Sequence, residues 1–445
     1  MRVLLAVLVL VLSGCASSGP PHIVVWTGDT LPDRVAATRA IFDRFTEQTG
    51  TTVELVSVDE DQFSAALTRS AASGQLPDVV ASQPLSAIRT LNSTELLDVE
   101  AAEDVVQRLG PATFEPRSLE MTADGPYQLA VPSDSWVQLI YYRKDLFAAA
   151  GLPPPATFAD LRHAAEVLTK DGQVGFVGPT VAGDNFTHQV FELFAMANGC
   201  EIEGPDHHVL FDSQACVAAL SFYNELISRY SVLGSQDVDS VRTDYFSGRA
   251  AMTVWSTFLL DELIGLRDDV LPACPQCAAD PLFLAHNTGA VSGLSGNFSS
   301  RPVQFGEINS WAILVDSDPA AREFVHFMLS DGYLDWLAFA PEGKAPLRRG
   351  LTPGGTEYLE AWRKLPVGVD REALLVDYYP PDVIEALERT PETFEQWGGD
   401  LVGASLAEMP VATAVSRTVR GELSPQQAAE EAAETLRAIE VSLPR

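Results

Sequence analysis

The sequence predicts an α/β protein of two lobes, joined by strands that pass from one lobe to the other. Three observations lead there. The first hundred residues alternate β-branched runs with amphipathic helical segments, the pattern of a parallel sheet with right-handed crossovers. At 445 residues, the chain exceeds the length at which a single hydrophobic core stops growing. Residues 127–161 hold two apolar extended runs joined by a polar, Pro-marked step, the form of a strand leaving one domain for another.

Residues 22–27 (HIVVWT) read as a buried parallel strand. Pro32 sits in the first turn of a helix whose Val35, Thr38, Ile41, Phe42 and Phe45 share one face, and Gly50 ends it. Residues 51–58 form a second strand, 63–73 a second helix closed by Gly74, and 77–81 a third strand. In open parallel sheets ligands bind beyond the carboxyl ends of the strands. Those ends carry Trp26, Gln62 and Gln83.

In the stretch 127–161, a short strand 129–131 stops at Pro132, Ser133, Asp134 and Ser135 make the polar step, and a second run covers 136–142. A helix over 144–150 closes at Gly151, where positive φ costs nothing without a Cβ. Pro153, Pro154 and Pro155 forbid continuation, and Thr157 caps the next helix. The second lobe should then hold a short strand at 174–177, a helix at 186–198 with Asn185 before it, a hairpin over 201–211 and a helix over 213–230. Gly248 terminates a helix, 250–254 is a tight buried strand, and Trp255 emerges at its end. Residues 304–315 read as the returning strand, with Asn309, Ser310 and Trp311 at the crossover, and 319–329 as a helix. Residues 345–348 resemble the third crossover of the family named below. The remainder is helical, with Ser424 capping the last helix and Pro425 in its first turn.

Several stretches, in this order, resemble the extracellular solute-binding proteins of ABC importers, in the sugar-binding (family 1, maltose-binding-protein-like) group. They are LAVP, YYRKDLF, AGL and PPATFADL between 129 and 161, then YFSGRAAM (245–252), DPAAREFVHF (318–327) and SPQQAA (424–429). The resemblance covers nearly the whole chain after its leader, and carries over regions rather than identical side chains. It implies a two-lobe periplasmic-binding-protein type II-like fold with a multi-strand hinge and a helical C-terminal segment. The boundaries it suggests are 22–131 plus 309–343 for the N-terminal lobe and 135–305 plus 347–445 for the C-terminal lobe. It also implies a monomer that holds a small solute between its lobes and delivers it to permease subunits driven by a separate ATPase.

Residues 1–14 read as a leader: Arg2 supplies the positive end, and the apolar run 3–12 is too short to span a bilayer. Leu12, Ser13, Gly14 and Cys15 resemble a lipobox. On that reading Cys15 is acylated, residues 15–21 are a tether, and the protein is exported and anchored to the outer face of the cell membrane. A formal charge of −32 repels phosphodiester backbones, which argues against nucleic acid as a partner.

Five cysteines become four once Cys15 is lipidated, an even number in an oxidising setting. Three pairings are possible; Cys200–Cys216 and Cys274–Cys277 are favoured because each closes a local loop. Cys274 and Cys277 have zinc-ligand spacing and His207 and His208 lie near Cys200, but no second pair completes a tetrahedral set. No metal or cofactor is expected. No GxSxG, GxxxxGK[ST], HExxH or GxGxxG motif is present, so the sequence offers no catalytic constellation.

A sugar presents apolar C–H faces that stack on aromatic rings, and hydroxyl pairs that suit planar carboxylates and amides. Trp26, Trp136, Trp255 and Trp311, at strand ends or crossovers, are the candidate stacking surfaces. Asp134, Gln62, Gln83, Asn185, Asn309 and Arg348 are the candidate polar contacts. Each has a plainer reading: a core tryptophan, a turn-forming Asp, an N-cap Asn, an ion-paired Arg. Trp336, Trp362 and Trp397 lie in helical stretches and are assigned to packing. The solute could also be a phosphodiester, recognised by a basic patch at Arg348 and Arg349, or a polyamine or compatible solute, held by carboxylates and aromatics. A sensor co-receptor without a transported solute is the alternative of another class.

Overall fold

The computed structural model describes residues 21–443 except His207, 268–269 and, within 367–393, all but Tyr379, Pro381, Val383 and Ile384. The leader, Cys15, the tether before Pro21 and His207 therefore lie outside the described residues. Parallel strands β1 (His22–Thr27), β2 (Thr52–Ser57) and β3 (Val79–Pro84) open the chain, with β1 between the other two. A short hairpin of β4 (Ala123–Asp124) and β5 (Tyr127–Gln128) precedes β6 (Val131–Arg143). The later strands are β7 (Met252–Ser256), β8 (Thr288–Val291), β9 (Gln304–Ile313), β10 (Ala345–Pro346) and β11 (Phe394–Glu395).

The two runs expected on either side of Pro132 are one strand of 13 residues. Its first half pairs with β9 and β10, and its second half with β7 and β8. A register shift against β9 falls between Pro132 and Asp134. A bulge there accommodates a residue that has no N–H to give to the ladder, so the proline bends the strand without ending it. The first-lobe path runs β10-β6-β9-β3-β1-β2.

Helices cover both faces of this path. Phe42 and Phe45 of the helix Pro32–Thr49 meet Phe324 edge-on, at 4.8 and 5.3 Å between centroids. In the second lobe, Phe158 stacks on Phe222 at 3.9 Å, and Phe176, Phe191 and Phe194 surround Tyr223. Thr157 and Ser424 both make the expected caps, each as a full capping box, and Gly151 adopts φ +68°. Cys200 is bonded to Cys216 and Cys274 to Cys277. Among the described residues no helix is long and apolar enough to cross a membrane.

Two expectations are corrected. Residues 345–348 do not carry the chain across. β10 pairs with β6 at Asp134 and Ser135, and the helix Glu357–Trp362 then packs on the first lobe. Tyr358 meets Tyr333 at 4.9 Å, and Trp362 Nε1 donates to the carbonyl of Pro341 at 2.9 Å. Residues 347–362 thus sit with the first lobe, although the boundaries above gave them to the second. Trp397 lies in a loop, not a helix, with its indole N–H on the carbonyl of Cys200 at 3.2 Å.

The last helices hold the halves together. Pro410–Val419 and Pro425–Ser442 pack on each other and on the second-lobe helix Gln214–Tyr230. Asp400–Ser405 packs on the first-lobe helix Leu85–Ser93. At Gly403 a Cβ would lie 2.9 Å from the carbonyl of Ser86, so only glycine permits this approach.

Candidate functional site

Hydrogen-bonded register lines up Pro84 of β3, Asn309 of β9, Asp134 of β6 and Pro346 of β10 in one row across the sheet. This row is the lip of the first lobe, at the carboxyl end of parallel β3. Two register positions beyond it, toward the half of β6 that pairs with β7 and β8, Trp136 faces Glu307. Sheet topology thus delivers side chains from both lobes to one seam.

At the lip, Asp134 is fully buried. Its carboxylate accepts from Ser133 Oγ at 2.7 Å, Trp336 Nε1 at 2.9 Å and Asn309 Nδ2 at 3.3 Å. The Lys344 ammonium lies 3.8 Å away and sits over the Trp336 ring at 4.1 Å. Two predicted site residues, Asp134 and Asn309, are therefore brought together, but to fasten crossover strands to each other. Gln83 is buried beside them and donates to the carbonyl of Ala81 at 3.0 Å.

Beyond the lip, Trp136 is half-buried, with its ring 5.7 Å from that of Phe305. The opposing Glu307 carboxylate accepts from Gln189 Nε2 at 2.8 Å and from Gln396 Nε2 at 2.6 Å. Trp255, expected to emerge at the strand end, is the last residue but one of β7 and is buried, with its ring 4.7 Å from Phe186 at the start of the helix Asn185–Ala197. Three residues on, Phe258 meets the other lobe. The Arg34 guanidinium lies over its ring at 5.3 Å, and a Cβ on Gly343 would fall 2.1 Å from it, so the ring packs directly on backbone. Arg34 stands 3.6 Å from Asp29, just past the end of β1.

Carboxyl groups gather at this contact. Glu342 is buried, and its pKa is raised to about 7, chiefly by desolvation and against the opposing pull of Arg34 and Lys344. Burial, with Glu342 and Glu262 nearby, pushes Asp261 well above the usual carboxylate range. Glu262 pairs with Arg242 at 3.2 Å and Arg267 at 3.5 Å.

The structure takes three predicted residues away from the seam. Trp311 is fully buried in the first-lobe core, edge-on to Trp336 at 4.9 Å and to Phe324 at 5.8 Å. Arg348 is a buried internal clamp: its guanidinium donates to the carbonyls of Leu329 and Leu109, to Thr113 Oγ1 and to Tyr358 Oη. Asn185 is the exposed first residue of its helix, and the cap is Asp184, which accepts from Phe186 and Thr187. Trp26 is half-buried against Phe63 at 6.2 Å, and Gln62 is exposed on a helix. Sequence reasoning missed Phe258, Arg34, Glu307, Gln189 and Lys344. Phe258 alone had a readable signal, an aromatic just past the strand end that Trp255 already marked. A separate depression of about 250 Å³, lined by Glu201, Glu203, Pro205, Trp397 and Val402 among others, includes none of the predicted residues.

Two α/β lobes sharing their strands, with aromatic and polar side chains at the seam, are the frame of a solute-binding receptor. The protein belongs to the bacterial extracellular solute-binding protein family, whose model matches residues 28–334. It is 27% identical over 370 residues to YcjN of Escherichia coli (strain K12), whose name places it among ABC transporter periplasmic-binding proteins; the match covers 80% of each chain. Its fold is similar to maltose-bound MalE3 of T. maritima (TM-score 0.72, 18% identity, 94% of this chain and 99% of that one). It is also similar to UgpB of Mycobacterium tuberculosis in complex with glycerophosphocholine (TM-score 0.70, 18% identity, 95% and 98%).

Proposed function

We propose that this protein captures a sugar or oligosaccharide between its lobes and delivers it to the membrane subunits of an ABC importer. The observation that carries the reading is the pair at the seam: a half-buried Trp136 opposite a Glu307 carboxylate set by two amide side chains. That is the combination of ring face and planar polar groups a pyranose needs. Binding to both lobes would shift the population toward the closed form, which the permease recognises. Capture involves no bond-making, so transport energy comes from the partner ATPase, and the protein works as a monomer. The lobes divide near 131–135 and 305–309, with 347–362 reassigned to the first. Acylation of Cys15 would hold the protein at the outer face of the membrane; replacing Cys15 by Ser should release it into the soluble fraction.

The phosphodiester alternative relied on Arg348 and Arg349. Arg348 is occupied by carbonyl and hydroxyl groups, and Arg349 lies 3.1 Å from Glu115. Neither is offered to a phosphate. A thermal-shift screen over oligosaccharides, glycerophosphodiesters and polyamines tests the carbohydrate reading, because a ligand bound only to the native state raises Tm. A panel in which no saccharide raises Tm would overturn it.

A further inference from the structure

The contact between Phe258 and Gly343 holds more acid than the lobes need to meet. Asp261 comes from the second lobe, on the helix Leu259–Leu263, and Glu342 from the first, on the turn Pro341–Gly343. The neighbouring ions each have a counter-ion: Arg34 has Asp29, Lys344 has Asp134, and Glu262 has Arg242 and Arg267. Among the described residues no ion pair joins Asp261 or Glu342 to a cation, and burial pushes both carboxyls toward their neutral form.

Among the described residues, three oxygen atoms in this region are buried without a hydrogen-bond partner: the carboxyl atoms Asp261 Oδ1 and Glu342 Oε1 and the hydroxyl Thr257 Oγ1. Glu342 is only 2% exposed and Thr257 is fully buried. Stranding a buried acceptor forfeits the water it gave up, and a carboxylate loses more than a hydroxyl. The missing partner is a donor, and a positive one matches best.

We infer that the solute carries a protonated amine, received by Asp261 and Glu342 beside Phe258. The inference rests on the interlobe site described above and narrows what it accepts. The amine could belong to an amino sugar or to a polyamine, since both present the same ammonium to the same oxygens. Closure would bring the two carboxylates, one from each lobe, onto a single charge, so the cation itself would favour the closed form.

The test compares matched probes by thermal shift and titration calorimetry: the β-1,4-linked glucosamine disaccharide against cellobiose, and spermidine as an amine without a sugar. The expected result is binding of the aminated disaccharide at least about tenfold tighter than cellobiose, the discrimination a charge-assisted hydrogen bond supplies. Asp261→Asn and Glu342→Gln should each erase that ratio. Should one variant fail to fold, judged by circular dichroism, the other still decides. Equal affinity for the two disaccharides, a ratio that survives in the variants, or silence from both amines overturns the inference. Binding of cellobiose without the amines leaves the carbohydrate reading standing and removes only the amine. Binding of spermidine with no response to either saccharide does the reverse.

Discussion

Trp336 donates its indole N–H to the Asp134 carboxylate at 2.9 Å, which fastens a first-lobe helix to the strand both lobes share. With Lys344 at 3.8 Å, the carboxylate is half of a buried ion pair. Removing one partner strands the other charge, so Asp134→Ala should cost about 3–5 kcal/mol in guanidinium denaturation. The double variant Asp134→Ala, Lys344→Met should be less destabilised than the single one. Equal losses would show that the pair is not coupled.

Trp136 offers a partly open ring where the lobes meet, and its removal leaves the lip network intact. Trp136→Ala should weaken saccharide binding by roughly thirtyfold, as loss of an aromatic anchor worth about 2 kcal/mol does, with an unchanged circular dichroism spectrum. Calorimetry on the best saccharide from the screen checks this, and wild-type affinity would take Trp136 out of the site.

Arg348 gives the opposite pattern. Its forked donors reach carbonyls on both sides, which a lysine ammonium cannot copy. Arg348→Lys should cost about 1–3 kcal/mol of stability through stranded carbonyls and leave ligand affinity unchanged. A large affinity loss at constant stability would restore Arg348 to the binding surface.

Glu342 makes stability depend on pH. Its folded pKa is raised to about 7, above the roughly 4.3 of a free glutamate. Between those values the native state keeps a proton that the unfolded chain has lost, so stability falls as pH rises through the window. Asp261, Asp244 and Asp400, also raised by burial, act in the same direction. Denaturation midpoints taken from pH 4.5 to 7 should decline in the wild type and decline less in Glu342→Gln. Identical slopes would mean the carboxyl is not held protonated.

The Cys200–Cys216 bridge closes a separation of 16 residues at the end of the helix Asn185–Ala197. Replacing both cysteines by serine should cost about 3 kcal/mol on a chain-entropy account. A Tm unaffected by reductant would contradict it.

Much of the architecture was legible because local chemistry and fold agreed. The β-branched runs, Gly151, Thr157 and Ser424 all do what their residue types favour. Side-chain roles at the crossovers were not legible. Alternation puts Glu307, Asn309 and Trp311 on one face of β9, but depth along the strand separates them. Glu307 stands where second-lobe amides reach it; two positions further, Asn309 serves the lip, and Trp311 is roofed by Phe324 and Trp336. A sequence shows the face and not the depth. Asp134 likewise reads as a candidate polar contact, or more plainly as a turn former, because Lys344 and Trp336, its partners, lie about two hundred positions away.

Because β6 and β9 run through both halves, neither half is a single continuous stretch of gene. Recombination cannot exchange one jaw as a cassette without cutting the ribbon that joins it to its mate. A change of specificity that keeps both shared strands intact has to come from point substitutions and loop changes along the seam.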